Sequence, residues 1–327
     1  MPKEEHIYAV TRAHIHERGL LGRHDIEQLI SALDLQEVFN LLSDKGWGSP
    51  ELPACSPDAL VAYEYEKTWA LIKELFDDLA PFDVFRVSDD FHNLKAAIKL
   101  NFSSSNDSGS SACFLKHGII PVRQITAAAE NHDFSSLPGN MAAAGQNAYL
   151  ALVHTGNGQM CDIVIDKAAL KAIYEEGKKS KSALLFRYAE LLVDCADIKS
   201  ALRCCLMKKN REFIENIISY AGSLDFDALV SAAAGSPQAV YDFVKASPYS
   251  EAAEPLQQSL AAFERWRDNR IMELLKPQRN NYFGIEPLAA FILGRENEIR
   301  MVRLIFSAKL NNLNNEALRE RLREMYV

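Results

Sequence analysis

Asp197-Ile198-Lys199-Ser200-Ala201-Leu202-Arg203-Cys204-Cys205-Leu206 sets Ile198, Ala201, Leu202, Cys205 and Leu206 at offsets 0, 3, 4, 7 and 8, one face of an α-helix. The stripe recurs upstream as Leu94, Ala97, Ile98 and Phe102, and downstream as Ile299, Val302 and Phe306. Each copy opens on a polar–apolar–basic triplet: Asn93-Leu94-Lys95, Asp197-Ile198-Lys199 and Glu298-Ile299-Arg300, at spacings of 104 and 101 residues. Asp90 and Asp194, four residues ahead of the apolar position, suit an N-cap whose carboxylate accepts the free amides of a first turn; the third copy has Arg295 there. Apolar–polar alternation is scarce, with Cys161–Asp166 as the one short strand candidate, so the fold is predicted to be all-α.

A second landmark keeps the same phase. Gly19, Gly118 and Gly222 are 99 and 104 residues apart, and each precedes an aliphatic residue by seven positions: Ile26, Ile125 and Leu229. Glycine at these points is expected to be a left-handed residue ending one helix before the next, and Asn311, seven residues before Leu318, to do the same at a further partial copy. Units of this length exceed the usual helical-pair repeats. The expectation is three multi-helix lobes, roughly 1–115, 116–215 and 216–327, packed together as one contiguous unit. The helix around Tyr8–Glu17 precedes Gly19 as the Asn93 helix precedes Gly118, so the N-terminus reads as the late part of a unit in a permuted or closed arrangement. The serine-rich 103–111 segment and the turn-rich 137–140, 154–159 and 276–281 stretches read as connectors.

The 327 residues are 48% hydrophobic and 24% charged, which excludes whole-chain disorder. Net charge is −8, with +3 in residues 264–327 and −11 in residues 1–263, so nothing draws the chain as a whole to nucleic acid. No apolar run reaches the roughly 18–20 residues of a membrane-spanning helix, and the acidic start is unlike a secretory signal. Six cysteines without CxxC spacing, two of them adjacent (Cys204 and Cys205), read as reduced and mostly buried residues of a cytosolic protein.

Few residues suggest chemistry. His14 and His16 diverge on a helix, and no ligand stands at a suitable spacing beside them or His24, so no metal site is expected. Gly156-Asn157-Gly158 is not a nucleotide fingerprint, and neither a phosphate-binding GxxxxGK[ST] loop nor a GxSxG elbow occurs, so neither a cofactor nor a catalytic residue is assigned. Asp77-Asp78 and Asp89-Asp90 read as a solvated face or a helix start. The basic residues beside the repeated stripe are Lys95 and Lys99, Lys199 and Arg203, and Arg300 and Arg303. They either snorkel along core edges or form three basic patches about a pseudo-threefold axis for an acidic partner.

Gly284-Ile-Glu-Pro-Leu-Ala-Ala-Phe-Ile-Leu-Gly-Arg-Glu-Asn-Glu-Ile-Arg300, with the ending Leu322-Arg-Glu-Met-Tyr-Val327, resembles the C-terminal signature of the C subunit of bacterial and archaeal V/A-type rotary ATPases, the family that includes the d subunit of eukaryotic V-ATPases. The Tyr8-Ala-Val-Thr-Arg12 helix, the threefold layout and the length are similar as well, and the serine-rich segment stands as an insertion. The resemblance implies a funnel of three helical lobes around a central axis, seated on the cytoplasmic face of the membrane rotor ring and receiving the central stalk. Its partners would be the stalk subunits and the proteolipid ring, its role non-catalytic torque transmission for ion transport or ATP synthesis. A helical repeat scaffold unrelated to rotary ATPases is the alternative, and an enzyme with a site hidden among the lobes is a third.

Overall fold

Polar residues set just ahead of apolar runs start most of the helices. Ser56, Ser182, Asn210, Asp225, Ser236 and Ser259 each accept the backbone N–H three residues on, and proline follows at once after Ser56 and Ser236, where its missing N–H costs nothing. The computed structural model describes residues 3–49, 56–103 and 113–327. Cys55 and the serine-rich stretch beyond Ser103 lie outside the described residues.

In chain order the helices are α1 (Lys3–Glu17), α2 (Arg23–Ser31), α3 (Leu35–Asp44), α4 (Pro57–Leu75), α5 (Asp83–Ser103), α6 (Val122–Glu130), α7 (Gly139–Thr155), α8 (Gly158–Lys179), α9 (Ala183–Leu206), α10 (Arg211–Ile217), α11 (Phe226–Gly235), α12 (Pro237–Ala246), α13 (Ala253–Gln258), α14 (Leu260–Leu275), α15 (Glu286–Leu310) and α16 (Asn315–Arg319). Among the described residues there is no strand, and the all-α expectation holds. Cys161–Asp166, expected as a strand, lies inside α8: Cys161 and Ile165 are buried one turn apart, a helical spacing that a six-residue window mistakes for alternation.

The chain forms two compact units, one from Met1–Leu79 with Gln258–Val327 and one from Ala80–Gln257. In the first, α15 is the central helix. Seventeen of its 25 residues are buried, so its whole circumference is covered, and α1, α2, α3, α4, α14 and α16 pack around it. Val302, Ile305 and Phe306 of α15 join Ile26, Ile30, Val38, Leu42 and Trp47 in one apolar core. In the second unit α5 packs on α6, α7 and α8, while α9 packs on α8, α10, α11 and α12. The three helices carrying the repeated stripe are thus the hubs of their surroundings.

Three expectations about helix ends are corrected. Asp90 and Asp194 are not N-caps, because α5 begins at Asp83 and α9 at Ala183, which leaves both aspartates well inside a helix. Gly19, Gly118 and Gly222 are not left-handed residues: among the described residues the glycines with positive φ are Gly46, Gly48, Gly156 and Gly284. Asn311 has φ −100°, and the left-handed residue after α15 is its neighbour Asn312. After α9 Lys208 does the same; Lys208 N–H donates to Cys205 and Lys209 N–H to Cys204, as Asn312 donates to Lys309 and Leu313 to Ala308. Of the described cysteines, all free, Cys161, Cys195 and Cys204 are buried, Cys205 half-buried and Cys113 exposed.

Candidate functional site

The polar residue that opens each repeated stripe reaches across to a neighbouring turn. On α5, Asn93 accepts the Leu115 N–H at 2.8 Å and donates to the Leu115 carbonyl at 2.8 Å. One turn earlier Asp90 accepts the N–H groups of Ile119 at 3.1 Å and Ile120 at 3.0 Å. On α9, Asp197 accepts both the N–H and the hydroxyl of Ser219, and Asp194 both those of Ser223 and the hydroxyl of Tyr249 at 2.7 Å. The separations agree: 22 residues from Asn93 and Asp197 to their amides, and 29 from Asp90 and Asp194 to the first of theirs.

Gly118 and Gly222 belong to these junctions for want of a side chain, not for backbone freedom. A Cβ on Gly118 would stand 2.2 Å from Asp90 Oδ1, and one on Gly222 1.7 Å from Asp194 Oδ1. The carboxylates occupy that space, so glycine lets the turn come close enough for its amides to be accepted.

On α15 the same position is held by Glu298, which accepts the Leu21 N–H at 3.0 Å, two residues beyond Gly19, and the Trp47 indole N–H at 3.2 Å. Arg295, where the other copies have aspartate, donates to Glu298 at 2.6 Å and to Glu64, and its guanidinium lies 4.7 Å from the centre of the Trp47 ring. Glu64 and Glu298 are fully buried and Arg295 nearly so. Further along the same unit, buried Glu17 accepts the Tyr326 hydroxyl at 2.9 Å and faces His14 Nδ1 at 2.6 Å.

Burial sets the electrostatics. It pushes the carboxyls of Asp89, Asp90 and Asp197 up to about 6, against the hydrogen bonds that hold Asp90 and Asp197 down. Burial likewise raises Glu298, and it raises the phenols of Tyr249 and Tyr326, each of which also gives its proton toward a carboxylate. Asp268 goes the other way: burial would raise it, but Arg267, Arg300 and Arg323 outweigh that and hold its pKa low.

The basic residues of the stripe divide. Lys95 pairs with Asp166 and Lys99 with Asp162, each at 2.6 Å, as two rungs between α5 and α8. Arg300 stands 3.5 Å from Asp268 on α14. Lys199 is half-buried, and Arg203 and Arg303 are exposed. The three N-terminal histidines go to separate places: His14 to Glu17 and the Asn281 carbonyl, His16 toward the Phe291 ring, and His24 to Gln28. Among the described residues no three His, Cys, Asp or Glu side chains are grouped to hold a metal ion, and no helix is long and apolar enough to cross a membrane.

Asn93, Asp197 and Glu298 were visible as the first letter of a signature, but their role as acceptors for a distant turn was not. Glu64 and Trp47 gave no signal, because they meet Arg295 and Glu298 across 231 and 251 residues of chain.

Hub helices whose buried polar side chains lock neighbouring turns define an all-helical protein with an internally repeated junction. The ATP synthase (C/AC39) subunit family matches residues 9–321, and the chain belongs to it. It is 22% identical to the C subunit of the V-type sodium ATPase of Enterococcus hirae over 316 residues, 95% of each chain. It is 24% identical to the C subunit of the A-type ATP synthase of Methanocaldococcus jannaschii, covering 96% of this chain and 86% of the relative. Family membership makes it one part of such a complex rather than an enzyme by itself.

Proposed function

We propose that this protein couples the central stalk of a V/A-type rotary ATPase to the membrane rotor ring, from the cytoplasmic face. In this reading the lobes 1–115, 116–215 and 216–327 stand about a common axis as a funnel that grips the end of the stalk. The observation that carries it, beside the family match over residues 9–321, is the repeated junction: the same carboxylate-to-turn lock at the same separations on α5 and α9, with a buried ion-paired version on α15. A torque coupler has to transmit strain without yielding, and locked, close-packed hubs do that. The stripe cations are the proposed contacts. Arg203 and Arg303 are open to a partner's acidic groups, while Lys95, Lys99, Lys199 and Arg300 would exchange an internal contact for one on the partner.

The test is affinity purification of the tagged full-length chain from membranes of its own cell. Stalk proteins and proteolipid ring should be recovered with it, and reversing Lys95, Lys199 and Arg300 together should reduce stalk recovery while helical content by circular dichroism stays the same. Recovery of the chain without either partner would sink the coupling role. Unchanged stalk recovery from the triple variant would remove only the contact assignment.

A further inference from the structure

Four of the twelve basic residues of 264–327 meet at one cavity. In the unit built on α15, a cavity of about 620 Å³ is bordered by Arg23 on α2, Lys276 and Arg279 on the 3₁₀ turn after α14, Arg319 on α16, and Arg323 beyond it. Glu27, Glu324 and the terminal carboxylate of Val327 line the same space; Glu27 lies 3.1 Å from Arg319 and Glu324 2.6 Å from Lys276. Arg323 is committed to Asp268 at 2.9 Å. Arg23 and Arg279 are exposed, and no described carboxylate pairs with either.

What remains after these pairings is two unspent guanidinium groups on a cavity of small-ligand size. Arg23 comes from the start of α2 and Arg279 from a turn some 250 residues later in a chain of 327, so local sequence did not place them together. A guanidinium fork matches the paired oxygens of a phosphate, sheds water more readily than an ammonium, and stays charged at any physiological pH. A phosphate group concentrates up to two negative charges on one centre, whereas each carboxylate of an acidic peptide brings one. We propose that this cavity binds a phosphate-bearing anion, held by Arg23 and Arg279 and flanked by Lys276 and Arg319. The proposal is independent of the coupling role, since it concerns a site within one unit of the isolated chain.

The full-length chain is titrated with inorganic pyrophosphate by calorimetry at about 50 mM salt, where screening is modest. Saturable binding is expected, weakened about tenfold or more by Arg23→Glu and by Arg279→Glu and unchanged by Lys245→Glu, an exposed lysine on α12. Arg23→Gln and Arg279→Gln repeat the measurement if a reversal disturbs folding as judged by circular dichroism. A second arm floats the protein with phosphatidylcholine vesicles containing phosphatidic acid. Flotation that the same arginine variants abolish assigns the phosphate to a lipid headgroup, and pyrophosphate binding without flotation assigns it to a soluble ligand. Either result supports the site. No binding in both arms, binding indifferent to both arginines, or tighter binding of poly-glutamate than of pyrophosphate would overturn it.

Discussion

The junctions on α5 and α9 and the junction on α15 do one job with different chemistry. In the Ala80–Gln257 unit an aspartate on the hub helix accepts amides from a turn that follows in the chain, and a glycine admits its carboxylate. In the other unit the turn after Gly19 lies some 277 residues before its acceptor, Glu298, whose charge is balanced by Arg295. Short aspartates suffice where a glycine brings the backbone to them. The longer glutamate reaches Leu21, and Gly19 has only the His16 carbonyl 3.4 Å from where a Cβ would be. The exchange of aspartate for Arg295 is therefore a change of mechanism, from a carboxylate satisfied by amides to carboxylates satisfied by a cation.

The comparison breaks most sharply at Arg295. Replacing it with methionine keeps much of the volume but leaves Glu298, 0% exposed, without its cation and equally buried Glu64 with only Lys67, 3.4 Å away. Removing one partner from a buried ion pair costs about 3–5 kcal/mol. All three tryptophans, Trp47, Trp69 and Trp266, belong to the unit built on α15, so their fluorescence reports that unit during denaturation. Arg295→Met is expected to lower the fluorescence midpoint strongly. A loss below about 1 kcal/mol would show that the carboxylates find other partners, and the two kinds of junction would then be no different in kind.

The glycines sharpen it next. Gly222→Ala would set a methyl 1.7 Å from Asp194 Oδ1 and 2.7 Å from its Cγ, so the carboxylate must leave Ser223. A loss of about 2–3 kcal/mol is expected, as for other overpacked sites. Gly118→Ala meets Asp90 at 2.2 Å and should follow closely, while Gly19→Ala should stay within about 0.5 kcal/mol. Equal losses at all three positions, by urea denaturation, would return these glycines to the backbone role that their spacing alone suggests.

That difference marks how far the sequence could be read. The stripe of Ile198, Ala201 and Leu202 and its two copies identified the hub helices, because a buried helix face repeats every 3.6 residues wherever it lies. The register of glycine and carboxylate was visible too, as equal spacings. What those residues do was not. An aspartate ahead of an apolar stripe looks like a cap unless the preceding turns are known to be helical, and Val84, Phe85, Leu184 and Leu185 had already started α5 and α9. A glycine kept for a close approach leaves the same mark as one kept for positive φ. Contacts such as Glu64 with Arg295 belong to the tertiary fold, and no local pattern encodes them.

The smallest effect sets Asp89 on α5 against Asp268 on α14, whose carboxyls respond to pH in opposite senses. Asp89 has its carboxyl pushed up to about 6 from an ordinary 3.8, by burial first and by the neighbouring charge of Asp90 second. A carboxyl raised on folding binds its proton more tightly in the folded state. Its stabilising contribution is full below 3.8 and disappears as pH rises through about 6. Asp268, held low by its arginines, contributes in the opposite sense: its share is present above the ordinary carboxylate range and lost on acidification. Asp89→Asn preserves shape and removes the titration, so at about pH 7 the variant should be more stable than the parent by about 1–2 kcal/mol. Near pH 4 the two should coincide, to about 0.5 kcal/mol. Asp268→Asn should instead destabilise at neutral pH, with the penalty shrinking as the solution is acidified. Denaturation followed by circular dichroism at a series of pH values reads both. If Asp89→Asn were neutral or harmful at pH 7, the charge at this position would be compensated in the folded chain, and burial would not be what governs this carboxyl.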